Sequence, residues 1–419
     1  MPNQLSRRLF TQTTLAAPLL AQRPTSETPS PTQLPPAVAA LKSRRAEVKP
    51  ILPAEFEARV ERARQLMTDN KIDAICLAGG TSLRYFTNLR WGNSERLFAY
   101  VIPRKSQPFF ISPAFEEERA REQAGQNVKV WTWQEDQDPY ALLGEGLRGL
   151  GLSAATVGIE EKVVFAFSDG LSRSNPGFKI TSATPVTAGC RARKSPAELA
   201  IMKVANSITL ESYRAAWQSV KEGMTNRDFA ALIEAGMSRQ GYPGFVSVQV
   251  GEWSALPHGS ARPQPIREGT IVMMDDGCTV EGYVSDVTRT VVLGKPTDKM
   301  KKVWDVVLKA QSAALAAAKP GAPCEAVDAA ARKVIVDAGY GPGYQYFTHR
   351  LGHGIGMDGH EWPYLVKGNK TPIQTGMTFS DEPGIYIRGE FGVRHEDDMF
   401  ITENGAELFT PQPTSIETI

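Results

Sequence analysis

The chain has 419 residues, of which 42% are hydrophobic, 8% aromatic and 22% charged, enough for two or three domains with real cores. Forty-seven Lys and Arg against 46 Asp and Glu leave a net charge of +1, without the basic excess that marks a nucleic-acid binder. No run of about 18 uninterrupted apolar residues occurs, which excludes a spanning helix. Thirty-six Gly and 29 Pro are ordinary proportions and exclude a collagen-like chain. The four cysteines, Cys76, Cys190, Cys278 and Cys324, are too few for a disulfide scaffold and form no Cys-x-x-Cys pair, so neither a thiolate zinc site nor a thioredoxin-like motif is expected.

Ser6-Arg7-Arg8-Leu9-Phe10 precedes a short apolar run from Leu15 to Ala21. Paired arginines in that setting resemble a twin-arginine export signal, so residues 1–21 are expected to direct the chain to the periplasm. The next segment carries prolines at 24, 29, 31, 35 and 36 among Thr and Ser. Such a composition cannot bury a core, and residues 22–50 are expected to be an extended linker.

From Glu55 to Asn70, Phe56, Val60, Ala63, Leu66 and Met67 recur three and four apart over a charged face, which predicts a helix. Ile72–Ala78 reads as a short buried strand closed by Gly79-Gly80. Further strands are expected at 97–103, 108–112, 128–133 and 156–160, with helices at 113–123 and 139–150. This alternation predicts an α/β unit over residues 51–188. No ligand cluster or phosphate loop is visible in it, so it reads as a packing or oligomerisation domain.

The second unit, residues 189–419, opens on Ser195-Pro196-Ala197-Glu198, with Ser as N-cap, Pro in the first turn and Glu three residues after the Ser. Helices are expected at 196–221, 225–240, 298–318 and 323–338. Thr- and Val-rich strands are expected at 245–250, 270–276, 283–293, 377–381 and 396–402, an α+β pattern.

Nearly all the candidate chemistry falls between residues 258 and 396. Asp275 ends an apolar strand, and Asp286 follows in a second β-forming run, so a hairpin can set the two side by side. Two ionised carboxylates in an apolar sheet repel and are poorly solvated; they need cations, or one must take up a proton. His349, His353 and His360 then crowd into one glycine-rich stretch. A helical His-x-x-x-His pair would suggest a zinc peptidase. Here Gly352, Gly354 and Gly356 each disfavour a helix by about 1 kcal/mol, and Arg350 stands where the helical motif has Glu. A glycine-rich strand or loop is expected instead, able to aim His353 and His360 separately. Glu382, in Ser-Asp-Glu-Pro-Gly, and Glu396, in Val-Arg-His-Glu-Asp-Asp, would in isolation be a turn and a solvated charge run.

Taken in order, Asp-x-Gly at 275–277, Gly-Tyr-x-Ser-Asp-x-Thr-Arg-Thr at 282–290, His-x-x-x-His-Gly-Ile-Gly-x-x-x-His-Glu at 349–361, Glu-Pro-Gly-Ile-Tyr at 382–386 and Gly-Val-Arg-x-Glu-Asp at 392–397 resemble the pita-bread metallopeptidases, in their Xaa-Pro aminopeptidase and prolidase branch. The resemblance runs from about residue 50 to the end. It implies a creatinase-like N-terminal α/β domain followed by an α+β pita-bread catalytic domain. It also implies that Asp275, Asp286, His353, Glu382 and Glu396 bind two divalent metals, manganese first, with cobalt, iron or zinc as alternatives. His258 and His360 match active-site histidines, Glu382 doubles as proton acceptor, and Arg394 and His349 support the ligands. Four carboxylates and one imidazole are mainly hard donors, which agrees with such ions.

The activity so implied is a two-metal exopeptidase that removes the residue before proline through a metal-bridged hydroxide. The substrate would be a small peptide with proline in second position, and a homodimer is expected. An Xaa-Pro dipeptidase, or a metal-dependent lyase or non-peptide C–N hydrolase on the same fold, is the alternative. A dipeptidase needs a cation for the free carboxylate, and residues 361–381 offer only Lys367 and Lys370, which favours the aminopeptidase. Asp276 and Asp381 stand beside predicted ligands where the family often has apolar residues, and strand alternation should turn both away from the metals. Arg350 could narrow the pocket or meet a substrate carboxylate.

Overall fold

The computed structural model describes residues 34–419; the expected export signal and the first part of the expected linker lie outside the described residues. The extended linker does not reach residue 50. Pro36–Ala40 is a short helix with Pro in its first turn and Val38 fully buried, and Arg45–Glu47 is a 3₁₀ turn. Leu41 packs over Gly236, and Arg44 bonds Ser207, Glu47 and Glu211. Two apolar side chains and one arginine find partners on the long helices Pro196–Trp217 and Asn226–Arg239, which local composition could not show.

The N-terminal unit is built on six strands: β1 (Ala74–Ala78), β2 (Ala99–Pro103), β3 (Phe109–Pro113), β4 (Val130–Trp133), β5 (Thr156–Ile159) and β6 (Lys179–Ser182), in the order β4-β3-β2-β1-β5-β6. Strand β1 is buried along its whole length, as a central strand covered on both faces must be. It pairs antiparallel with β2 and parallel with β5. The helices Pro53–Asp69 and Pro139–Arg148 lie where expected. The helices Thr81–Thr87, Phe165–Ser174 and Thr184–Arg191 are additions; they are short, and their apolar faces carry too few turns to show a period.

The second unit holds two antiparallel sheets backed by long helices. One runs β10-β8-β7, from β7 (Gly244–Val250), β8 (Ile271–Val280) and β10 (Arg289–Val292), with β9 (Tyr283–Val284) on the far end of β8. The other runs β12-β11-β13-β16-β17, from β11 (Gly352–Gly354), β12 (Glu361–Leu365), β13 (Thr378–Asp381), β16 (Asp397–Thr402) and β17 (Gly405–Leu408). Strands β14 (Gly384–Ile387) and β15 (Phe391–Arg394) form a separate hairpin. Ser195 and Thr225 start the helices Pro196–Trp217 and Asn226–Arg239 with full capping boxes. The helices Asp298–Ala317 and Cys324–Asp337 pack Val303, Val307, Ala331 and Ile335 into the main core with Phe379 and Met399 of the second sheet.

The expected strand 283–293 is broken. Residues 285–288 leave the ladder, because Asp286 donates its N–H to the Asp398 carboxylate at 3.0 Å and Thr288 pairs through both backbone groups with Glu396. That bridge joins the two sheets where the candidate ligands meet.

Candidate active site

A cavity of about 560 Å³ opens between the two sheets, and His258, Asp275, Asp286, His349, His353, His360, Glu382, Arg394 and Glu396 all line it. Each candidate named from the sequence is therefore at one place. The first sheet supplies Asp275 from β8 and Asp286 from the break after β9. The second supplies His353 from β11, Glu382 just after β13 and Glu396 just before β16. A second cavity of about 580 Å³, near Arg59, Glu198 and Thr375, carries no such convergence of ligands.

The donors suit divalent cations. Asp286, His353 and Glu396 each offer a ligand atom, and these lie within 4.8 Å of one another. His353 Nδ1 is 3.2 Å from the Gly354 carbonyl; donating there leaves Nε2 facing the site, where it can carry a proton toward Glu382 or ligate a cation. Nε2 is 3.2 Å from Glu382 Oε1 and 3.9 Å from Asp286 Oδ2, so a proton or a cation must stand between these acceptors. Burial, with Asp275 beside it, pushes the Asp286 carboxyl well above the usual range, and burial with Asp286 does the same to Glu396. Burial would also raise Glu382, but its bond to His353 and the charges of His353, His349 and Arg394 hold it at about 2.

Supporting contacts fix each ligand. Arg394 pairs with Asp275 through its guanidinium, and its Nε bonds Thr288 Oγ1 at 3.1 Å. Thr288 Oγ1 is 2.6 Å from both Asp275 Oδ1 and Glu396 Oε2. Ser380 donates to Glu382 at 3.1 Å and accepts the N–H of His353 at 3.1 Å. His349 donates Nδ1–H to the Arg350 carbonyl at 2.8 Å, and its Nε2 meets the Tyr386 hydroxyl at 2.7 Å, which Arg394 also reaches at 2.9 Å. Thr288, Ser380, Tyr386 and Asp398 carry no role in the sequence reading, although all four stand inside the quoted stretches.

His360 stacks on His353 with ring centres 3.8 Å apart. Burial and His353 lower its pKa to about 4, so it is neutral at pH 7. Arg350 reaches His360 Nδ1 at 3.4 Å and lies over the Tyr364 ring. Asp276 corrects the alternation argument: its φ of 80° breaks the strand pattern, and it lines the cavity instead of turning away. Burial and Asp275 raise its carboxyl to about 7. Asp381 does turn away, fully buried opposite Asp397. Asp397 in turn holds Arg289 at 2.6 Å.

Residues 200–403 match the model of metallopeptidase family M24, and residues 59–193 match the creatinase/prolidase N-terminal domain. An Xaa-Pro dipeptidase from Pyrococcus horikoshii is 34% identical over 355 residues, 84% of this chain and 96% of that protein. The chain belongs to family M24. Its fold is that of the family, a creatinase-type N-terminal domain followed by a pita-bread catalytic domain. The solved structure of the dipeptidase PepE from Mycobacterium ulcerans superposes with a TM-score of 0.83 at 32% identity, covering 88% of this chain and 99% of that one. An X-Pro aminopeptidase from Thermotoga maritima superposes with a TM-score of 0.72 at 30% identity, covering 85% and 100%. The M24 chain is thus a metallopeptidase by family, and its relatives carry dipeptidase names more often than aminopeptidase names.

Proposed function

We propose that this chain is a metal-dependent Xaa-Pro dipeptidase. The observation that carries the choice over an aminopeptidase is Arg350. Its guanidinium lines the cavity beside His360 and has no carboxylate partner among the described residues. A cation free in the pocket suits the free carboxylate of a dipeptide. Residues 361–381 hold only Lys367 and Lys370, which favoured an aminopeptidase; Arg350 offers the cation from outside that segment. The names of the Pyrococcus and Mycobacterium relatives support the same choice.

Asp275, Asp286, His353, Glu382 and Glu396 would hold two divalent ions, with manganese favoured by the hard donor set. When bound, such a pair supplies Lewis acidity and a nucleophile at neutral pH. The chain's own groups do the rest. Glu382, ionised and steadied by Ser380, accepts a proton and delivers it to the leaving proline nitrogen. His360 accepts from Arg350 at Nδ1, so its Nε2–H is the donor available to the peptide carbonyl. His258 lines the same cavity, and Phe245, 64% exposed, offers an apolar wall.

The test is hydrolysis of Xaa-Pro dipeptides and Xaa-Pro-Xaa tripeptides by metal-stripped protein with Mn²⁺ restored. Preferential cleavage of the dipeptide, with KM raised about 10- to 100-fold by Arg350→Gln, as the loss of a charge-assisted bond implies, supports the reading. Cleavage of the longer peptide alone assigns an aminopeptidase; cleavage of neither, with metal bound, points to the lyase class. Export through residues 1–21 belongs to the same proposal: changing Arg7 and Arg8 to Lys should abolish periplasmic recovery of a tagged chain.

A further inference from the structure

The segment between β11 and β12, residues 355–360, carries His360 into the cavity, yet part of its grip lies outside the catalytic domain. Asp358, at its tip, accepts a bond from Thr81 Oγ1 at 2.7 Å and pairs with Lys162 Nζ at 2.7 Å. Both partners belong to the N-terminal domain, at the start of the helix Thr81–Thr87 and just after β5. Met357, next to Asp358, packs against the N-terminal core formed by Ala63, Leu77 and Val186.

A buried ion network closes the base of the segment. Arg191, the last residue of the N-terminal helix Thr184–Arg191 and within the 59–193 domain, past the boundary expected at 188, is 4% exposed; it donates to Ser82 at 2.9 Å and Glu161 at 3.1 Å, and approaches Asp358 at 3.6 Å and Glu361 at 3.5 Å. Glu361 accepts the N–H groups of Met357 and Asp358, each at 3.1 Å, and pairs with Lys194 at 3.1 Å. Gly356 lets Lys194 come this close: a Cβ there would lie 2.7 Å from Lys194 Cε. The tip is thus tied twice, by Glu361 of its own domain through backbone N–H groups and by side chains of the other domain through the Asp358 carboxylate.

We infer that the N-terminal domain is a positioning element for catalysis. Through Thr81, Lys162 and Arg191 it holds Asp358, and through Asp358 it fixes where the His360 ring stands against His353 and the substrate. The domain that the sequence alone marks as packing then sets the precision of a group in the pocket. Misplacement of a catalytic group by about 1 Å can cost on the order of 100-fold in rate, so a loosened tip should act on kcat more than on KM. The rate argument rests on the peptidase reading above; the structural argument does not.

The experiment uses full-length, metal-loaded protein carrying Thr81→Val and Lys162→Ala. Lys162 is 58% exposed and Thr81 is partly exposed, so neither change opens the core. Two readouts are taken. Hydrogen exchange at the amides of 355–360 should quicken at least 10-fold while that of β13 and β16 stays unchanged. On Xaa-Pro substrates kcat should fall at least fivefold, with KM and bound Mn²⁺ within twofold. In a His360→Ala background the same pair should lower kcat less than twofold, because residues acting through one group are not additive. Asp358→Asn is the second variant and should reproduce both effects. Unchanged exchange at 355–360 overturns the clamp whatever the activity. Quickened exchange with unchanged kcat, or an equal loss in the His360→Ala background, overturns its catalytic role. A wild-type protein inactive on these peptides instead overturns the dipeptidase reading and leaves the exchange result to judge the clamp.

Discussion

Replacing Thr288 with Val removes one hydroxyl from the centre of the candidate metal site while keeping its shape. That oxygen is fully buried and has three polar neighbours: Asp275 at 2.6 Å, Glu396 at 2.6 Å and Arg394 Nε at 3.1 Å. It accepts from Arg394, and its single proton serves one of the two carboxylates at a time. The substitution therefore deletes one hydrogen bond to an anion and one from a cation, at roughly 1.5–3 kcal/mol for a bond to a charged group. Two ligands from different sheets lose their shared brace. We expect Mn²⁺ affinity to fall about 10- to 100-fold, the range for loss of a group that orients metal ligands. The β-sheet signature in circular dichroism should persist. Calorimetric titration of metal-stripped protein with Mn²⁺ measures the first quantity, and kcat/KM at saturating metal measures what remains. Affinity and kcat/KM both within twofold of wild type would refute the claim that this hydroxyl organises the site.

Three further outcomes are expected. Burial raises the Glu160 carboxyl to about 7; a group raised in the folded state loses stabilising effect as pH climbs from its unfolded value through 7, so Glu160→Gln should gain thermal stability over wild type at pH 8 and show little difference at pH 4. Arg289 and Asp397 form a pair at 2.6 Å in which both side chains are at most 2% exposed, so Arg289→Leu strands a carboxylate and should cost about 3–5 kcal/mol in denaturant unfolding. Metal removal by chelation should lower the thermal midpoint more at pH 8 than at pH 5.5. The raised carboxyls of Asp286 and Glu396 keep protons at low pH and repel when these leave; an equal midpoint loss at both pH values would contradict this.

The candidate ligands could be read from the sequence because each stands in a short motif whose neighbours are also constrained. Their convergence on one cavity shows in the structure. The residues that organise them were hidden for a different reason. Thr288 meets Glu396 across 108 positions, and Asp398 meets Asp286 across 112; no local pattern encodes a contact of that span. The long helices 196–217 and 298–317 were visible through period and caps, whereas β11, β14 and β17 have three or four residues each and cannot display a period. Asp276 escapes the pattern because alternation holds only while φ stays extended, and its φ of 80° does not. Residues 36–47 are ordered against an expected linker because composition describes a segment alone, whereas Val38 is buried by helices far along the chain.

The glycines of the second sheet set where this pocket can diversify. A Cβ on Gly352 would collide with the Ser380 carbonyl, and one on Gly354 would lie 2.7 Å from the Glu361 carbonyl; neither obstacle is a flexible side chain that could step aside. The two glycines that flank His353 therefore accept almost no substitution. New substrate preferences are more accessible at lining positions that carry no ligand and lie more open, such as 245 and 350, and a library aimed at altered selectivity should be concentrated there.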